Sequence, residues 1–217
     1  MKGILRAATA TGLLLTLAAL GLQAQARVIL GLGGGVIIPM KSGFNAVENP
    51  NLSVKSIGFG GEFIVGIMPS PASKVSIRVD LAYDNVHYKT PPAPARDKDP
   101  KMSIRNINLD LVFHPGNASG KVRPYIMGGG TLVSWDYRTG ETSSTAGSAG
   151  KVKGSIGFNG GAGLNIGTGK NVWFFVETRY IWTKKQAVAQ QVNVGTEKGT
   201  GFIPIVVGIR IKPMEGK

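Results

Sequence analysis

The chain has no cysteine, so neither a disulfide framework nor a thiolate metal site can be built from it. Histidine is nearly as scarce, with only two in 217 residues. These stand far apart, at His87 and His114, which leaves little for metal binding or for histidine-based catalysis. Acidic residues number 12 against 25 bases. No apolar run approaches the roughly 20 residues that a membrane-spanning helix needs. Any insertion into a bilayer must therefore use strands.

The longest apolar segment lies in the opening stretch, MKGILRAATATGLLLTLAALGLQAQA. Lys2 and Arg6 give it a basic start, Leu13 to Leu22 a short apolar core, and Ala24-Gln25-Ala26 a small-residue cleavage site. Residues 1–26 are expected to be a secretory signal that is removed, leaving 27–217 as one domain. Without Lys2 and Arg6, 23 bases face 12 acids, a net charge of +11. Such a balance suits an anionic partner. For an exported chain, lipid or lipopolysaccharide phosphate fits better than nucleic acid.

Glycine is abundant. The count of 32 is about twice the usual share, and glycines recur inside apolar stretches rather than in linkers. That placement disfavours helix and suits curved or closely packed strands. The clusters at Gly31–Gly35 and Gly128–Gly130 lack the spacing, the Lys-Ser/Thr pair and the following helix of a phosphate loop.

The segment Val172 to Thr183, VWFFVETRYIWT, organises the rest. As a strand it puts Val172, Phe174, Val176, Thr178, Tyr180 and Trp182 on one side. Trp173, Phe175, Glu177, Arg179 and Ile181 fall on the other. Eight such strands are expected, at about 28–39, 54–67, 74–88, 102–114, 123–137, 154–167, 172–183 and 201–212. Long polar intervals (40–53, 89–101, 138–153, 184–200) alternate with short ones (68–73, 115–122, 168–171). An even number of antiparallel strands with every long connection at one end is the pattern of a transmembrane barrel. The expected fold is therefore all-β, an eight-stranded antiparallel up-and-down transmembrane β-barrel.

The period of two assigns faces. Val75, Ile77, Val79, Leu81 and Tyr83 oppose Ser76, Arg78, Asp80 and Asp84, while Ile107, Leu109, Leu111 and Phe113 oppose Asn108, Asp110 and His114. The first strand, VILGLGGGVIIP, is ambiguous because both faces are apolar or glycine. Projected inward, the register collects Glu62, Arg78, Asp80, Asp110, Glu177, Arg179 and Arg210, an expected network of ion pairs in a lumen too narrow for a wide pore. A gated or proton-conducting path through the same residues is the functional alternative.

Aromatic residues cluster near strand ends. Tyr83, Tyr88, Trp135, Tyr137, Tyr180 and Trp182 fall toward the long intervals, and Phe113, Tyr125, Trp173 and Phe174 toward the short ones. They are expected to form two girdles at the lipid–water boundaries. The long intervals carry eleven bases against five acids, with Lys98, Lys101, Lys184 and Lys185 prominent. This basic rim would attract lipopolysaccharide phosphates.

No catalytic, cofactor or metal site is expected. Ser53, Ser56 or Ser134 could approach His87, but nothing in the spacing requires it. Asp97 and Asp99 alternate with Lys98 and Pro100 and read as a solvated charge run.

Several stretches resemble the small eight-stranded outer-membrane β-barrel family, the porin-like group that includes the OmpA transmembrane domain and OmpX-like proteins. They are GLGGGVIIP, VRPYIMGGGTLVSW, GFNGGAGLNIGTGKNVWFFVETRYIW and GFIPIVVGIRI. The resemblance implies Sec export, residence in the bacterial outer membrane as a monomer, and a structural or surface-interaction role. Members usually end on an aromatic residue, whereas here the last strand stops at Ile211 and KPMEGK follows. Two other readings compete. One is a soluble lipocalin-like barrel carrying a small apolar ligand, and the other is an outer-membrane lipid-modifying enzyme.

Overall fold

The computed structural model describes residues 27–40, 57–70, 73–87, 101–116, 120–138, 150–168, 171–184 and 199–211. Eight strands run in chain order: β1 (Arg27–Pro39), β2 (Gly58–Met68), β3 (Val75–His87), β4 (Lys101–Phe113), β5 (Val122–Arg138), β6 (Gly150–Gly167), β7 (Val172–Thr183) and β8 (Thr200–Ile211). Each pairs antiparallel with its neighbour in sequence, and β8 returns to β1 to close the barrel. Closure leaves no unpaired edge, the condition for strands to cross a bilayer. Among the described residues no helix is long and apolar enough to do so.

The pairing places Arg27 opposite Met68, so β1 starts at the end where β2 turns into β3. Local hydrogen bonds close the short connections there. Ser73 donates its backbone N–H to Ser70 (3.0 Å) and its hydroxyl accepts from Val75 N (3.1 Å). Thr168 closes the 168–171 turn onto the Val172 carbonyl. Residues 1–26, 41–56, 88–100, 139–149 and 185–198 lie outside the described residues.

One irregularity interrupts the ladder between two of the strands. Between β5 and β6 the register shifts, with Val133 opposite Ser155 but Trp135 opposite Val152. Gly154 takes the extra position with φ +61°, a backbone state that costs glycine nothing.

The burial pattern is inverted relative to a protein that folds in water. Ile156 is 74 % exposed and Leu32 69 %, whereas Asp80 is fully buried and Glu177 is 2 % exposed. Val79 pairs with Leu109 on one side and Val65 on the other, part of an apolar band around the exterior. A lipocalin-like carrier would bury that band around its ligand, and here it points away from the axis. The ambiguous β1 resolves the same way, with Val28, Leu30, Leu32 and Ile38 outward and Gly31 and Ile37 inward.

Candidate functional site: the filled lumen

Strand parity alone aims the interior residues. Glu62 comes from β2, Arg78 and Asp80 from β3, Asp110 from β4, Glu177 and Arg179 from β7, and Arg210 from β8, all buried. The structure brings all seven into one network. Arg78 donates through Nε to Asp80 (2.6 Å) and through both terminal nitrogens to Glu177 (2.7 Å each). Arg179 donates to Asp80 (2.7 Å), contacts Asp110 and Glu62 at 3.5 and 3.4 Å, and pairs closely with Glu177. Arg210 reaches Glu177 at 2.6 Å. One carboxylate, Glu177, thus faces three guanidinium groups. That concentration makes burial of the ions tolerable, since every charge meets an opposite one through directed hydrogen bonds.

Neutral side chains complete the layer. Tyr125 donates its hydroxyl to Glu177 (2.7 Å) and accepts from Arg210 (3.0 Å). Asn159 donates to Asp110 (2.8 Å), and Asn106 donates to Asp84 (3.1 Å) while accepting from Asn108 (3.0 Å). Room for the large members comes from inward glycines. A Cβ on Gly163 would collide with the Tyr125 ring, and one on Gly33 would stand 2.8 Å from Phe175.

Above this layer, toward the long connections, the lumen changes character. Ile37, Val86, Met102, Ile104, Val133, Trp135, Ile181 and Phe202 form a buried apolar cluster. Trp135 meets Phe202 edge-on at 5.7 Å. Expectation from the sequence covered the ion pairs and missed this second layer, because its members are drawn one or two at a time from six strands.

The girdle assignment needs correcting at three positions, Trp135, Tyr125 and Trp173. Tyr83, Tyr180, Phe113 and Phe174 are on the exterior, and Trp182 stacks on Phe158 there (5.1 Å, 27°). Trp135 and Tyr125, each 1 % exposed, are inside. The cause is the β5 register. Leu132 pairs beside Ile107 and Ile126 beside Phe113, all facing out, so the odd-numbered residues of β5 turn inward. Trp173 is inward as well, under Arg123 (5.6 Å from ring to guanidinium carbon). The side chain of Tyr137 and all of Tyr88 lie outside the described residues.

At the outer rim Lys101 and Lys184 are exposed, while Lys98 and Lys185 lie outside the described residues. His87 sits opposite Lys101 on β4, and His114 is buried at the other end of the barrel. The two histidines therefore share no site. Among the described residues no hydrogen bond joins His87 to Ser134, and no group of three potential metal ligands occurs. Ser53, Ser56, Asp97 and Asp99 lie outside the described residues.

Residues 12–199 match the family described as outer membrane protein beta-barrel domain. The chain belongs to this family. As one of these outer-membrane barrels it resides in the bacterial outer membrane. Three solved structures share the fold. OprG from Pseudomonas aeruginosa aligns at TM-score 0.56 with 16 % identity, covering 87 % of this chain and 96 % of that one. Neisserial surface protein A aligns at 0.54 with 14 % identity, covering 87 % and 97 %. Ail of Yersinia pestis, solved with the heparin analogue sucrose octasulfate, aligns at 0.53 with 11 % identity, covering 87 % and 99 %. No curated protein sequence matches the chain significantly.

Proposed function

We propose that this outer-membrane barrel is a closed, non-enzymatic monomer that acts at the cell surface by structure and by contact rather than by transport. The observation that carries the reading is the two-layer filling of the lumen. Ion pairs centred on Glu177 occupy its middle, and the Trp135–Phe202 layer occupies its outer end. Ions entering from outside would have to cross an apolar constriction before meeting the charged layer. Such a constriction excludes them by staying dry.

Residues 1–26 act as the export signal, and the long connections face outward. Lys98, Lys101, Lys184 and Lys185 then meet anionic groups of the outer leaflet, chiefly lipopolysaccharide phosphates. The sulfated ligand of the Ail structure is chemically similar, since sulfate esters present the same oxyanion to surface bases. A lipid-modifying role is disfavoured by the separation of His87 from His114, which lie at opposite ends of the barrel. Planar-bilayer recording of the purified full chain tests the reading. Insertion without stepwise conductance is expected, and steady single-channel steps would overturn it.

A further inference from the structure

Three buried arginines of the lumen have carboxylate partners, but a fourth does not. Arg123, at the start of β5, is 4 % exposed. Among the described residues no carboxylate pairs with it, and its Nε has no hydrogen-bond acceptor. Its one contact of note is the face of Trp173, an attraction worth far less than a charge-assisted pair. An unpaired guanidinium in such a place is costly unless something anionic or aqueous meets it.

Space for that partner exists. Arg123 lines a cavity of about 40 Å³ at the short-turn end of the lumen, together with Ser76, His114, Asn165, Arg78 and Arg210. Among the described residues no carboxylate lines it. Arg78 and Arg210 are committed to Glu177. Asn165 accepts from Arg210 through its oxygen (2.7 Å), which leaves its NH2 group as a donor. The exposed Lys74 and Lys121 stand at the same end. Ile29, Ile64, Met68 and Val112 give the cavity largely apolar walls, so the Arg123 guanidinium has few competing polar groups, and those that are present are donors and cations, the chemistry of an anion site.

We propose that this vestibule binds a small oxyanion of phosphate or carboxylate type, held by the Arg123 fork with Asn165 and Ser76 as further donors. The site faces the end opposite the surface loops and is independent of what they bind.

The sole tryptophan touching Arg123 supplies the test. In the full chain carrying Trp135→Phe and Trp182→Phe, Trp173 is the only one of three tryptophans left. Inorganic phosphate is titrated against its emission in maltoside micelles, with ionic strength held by sodium chloride. Calorimetric titration of the unsubstituted chain repeats the measurement without any variant. Saturable binding is expected. Arg123→Gln should weaken it at least about tenfold, the effect of losing one charge-assisted hydrogen bond.

Ser76→Asp should do the same by supplying a resident carboxylate. It decides the matter if the Arg123 variant fails to show the heat-dependent gel mobility of a folded barrel. Acetate and dihexanoyl phosphatidylglycerol, titrated separately, distinguish a free anion from a lipid headgroup. Saturation by any of them that depends on Arg123 supports the site. A signal that follows ionic strength alone, or one unchanged in both variants, means that Arg123 is merely hydrated and overturns the proposal.

Discussion

Arg78 on β3 and Glu177 on β7 meet across the lumen through two parallel hydrogen bonds of 2.7 Å each, fork to fork. Neither strand is a neighbour of the other in the sheet, so this pair ties the two walls of the barrel together. The planar guanidinium matches the carboxylate in a way a lysine could not.

Breaking that pair from one side should be severe. Glu177→Ala leaves Arg78, Arg179 and Arg210 without their shared acceptor, at a cost of about 3–5 kcal/mol. Urea unfolding of the micelle-bound protein measures it. Arg78→Met combined with Glu177→Leu should recover part of the loss, because the pair is then removed without leaving one member alone.

The two faces of a single strand should respond differently. Leu109→Arg or Val79→Arg puts a charge in the lipid-facing band, where about 2–4 kcal/mol is expected. Asn108→Ser, one residue away and inside, loses its bond to Asn106 and should cost about 1 kcal/mol. Equal losses in refolding titrations would mean that the faces are reversed.

Much of this was legible beforehand. In β3, β4, β7 and β8 the mid-strand residues of one face are predominantly apolar and most of the charged ones fall on the other, so parity alone separates Leu109 from Asp110 and Val176 from Glu177. In β5 it fails. VRPYIMGGGTLVSW mixes aromatic, apolar and glycine residues on both sides, and only the pairing with β4 shows which side Tyr125 and Trp135 take. The apolar layer around Trp135 was hidden for a related reason. It is assembled from one or two residues of each of six strands, and local periodicity does not record cross-barrel neighbours. Arg123 is hidden by the same mixture in β5, since it opens the expected strand 123–137, whose two faces do not tell the lumen from the exterior. Asp84 shows the same limit, since its alternation placed it inward but nothing nearby indicated Asn106 as its partner.

Glycines on opposite faces should behave oppositely. An added methyl at Gly33 would come 2.7 Å from Val206 and 2.8 Å from Phe175, so Gly33→Ala should destabilise by about 1–3 kcal/mol through overpacking. Gly130 has nothing within 4 Å of such a methyl on the outer surface. Gly130→Ala should be neutral or stabilising by about 0.4–1 kcal/mol. Paired unfolding midpoints check both.

The surface loops should respond to salt. Replacing Lys98, Lys101, Lys184 and Lys185 by Gln is expected to weaken lipopolysaccharide binding and flatten its dependence on ionic strength. Binding isotherms at several salt concentrations read this, and an unchanged slope would remove the basic rim from the account.

The central claim is that apolar side chains meet lipid while the lumen is shut off from it, and two tryptophans near the same end of the barrel test it. Trp182 lies on the exterior against Phe158, and Trp135 is 1 % exposed within. Single-tryptophan variants in bilayers of brominated phosphatidylcholine report contact with the acyl chains. The account predicts strong quenching of Trp182 and little of Trp135; quenching of Trp135 as strong as that of Trp182, or none at Trp182, would contradict it.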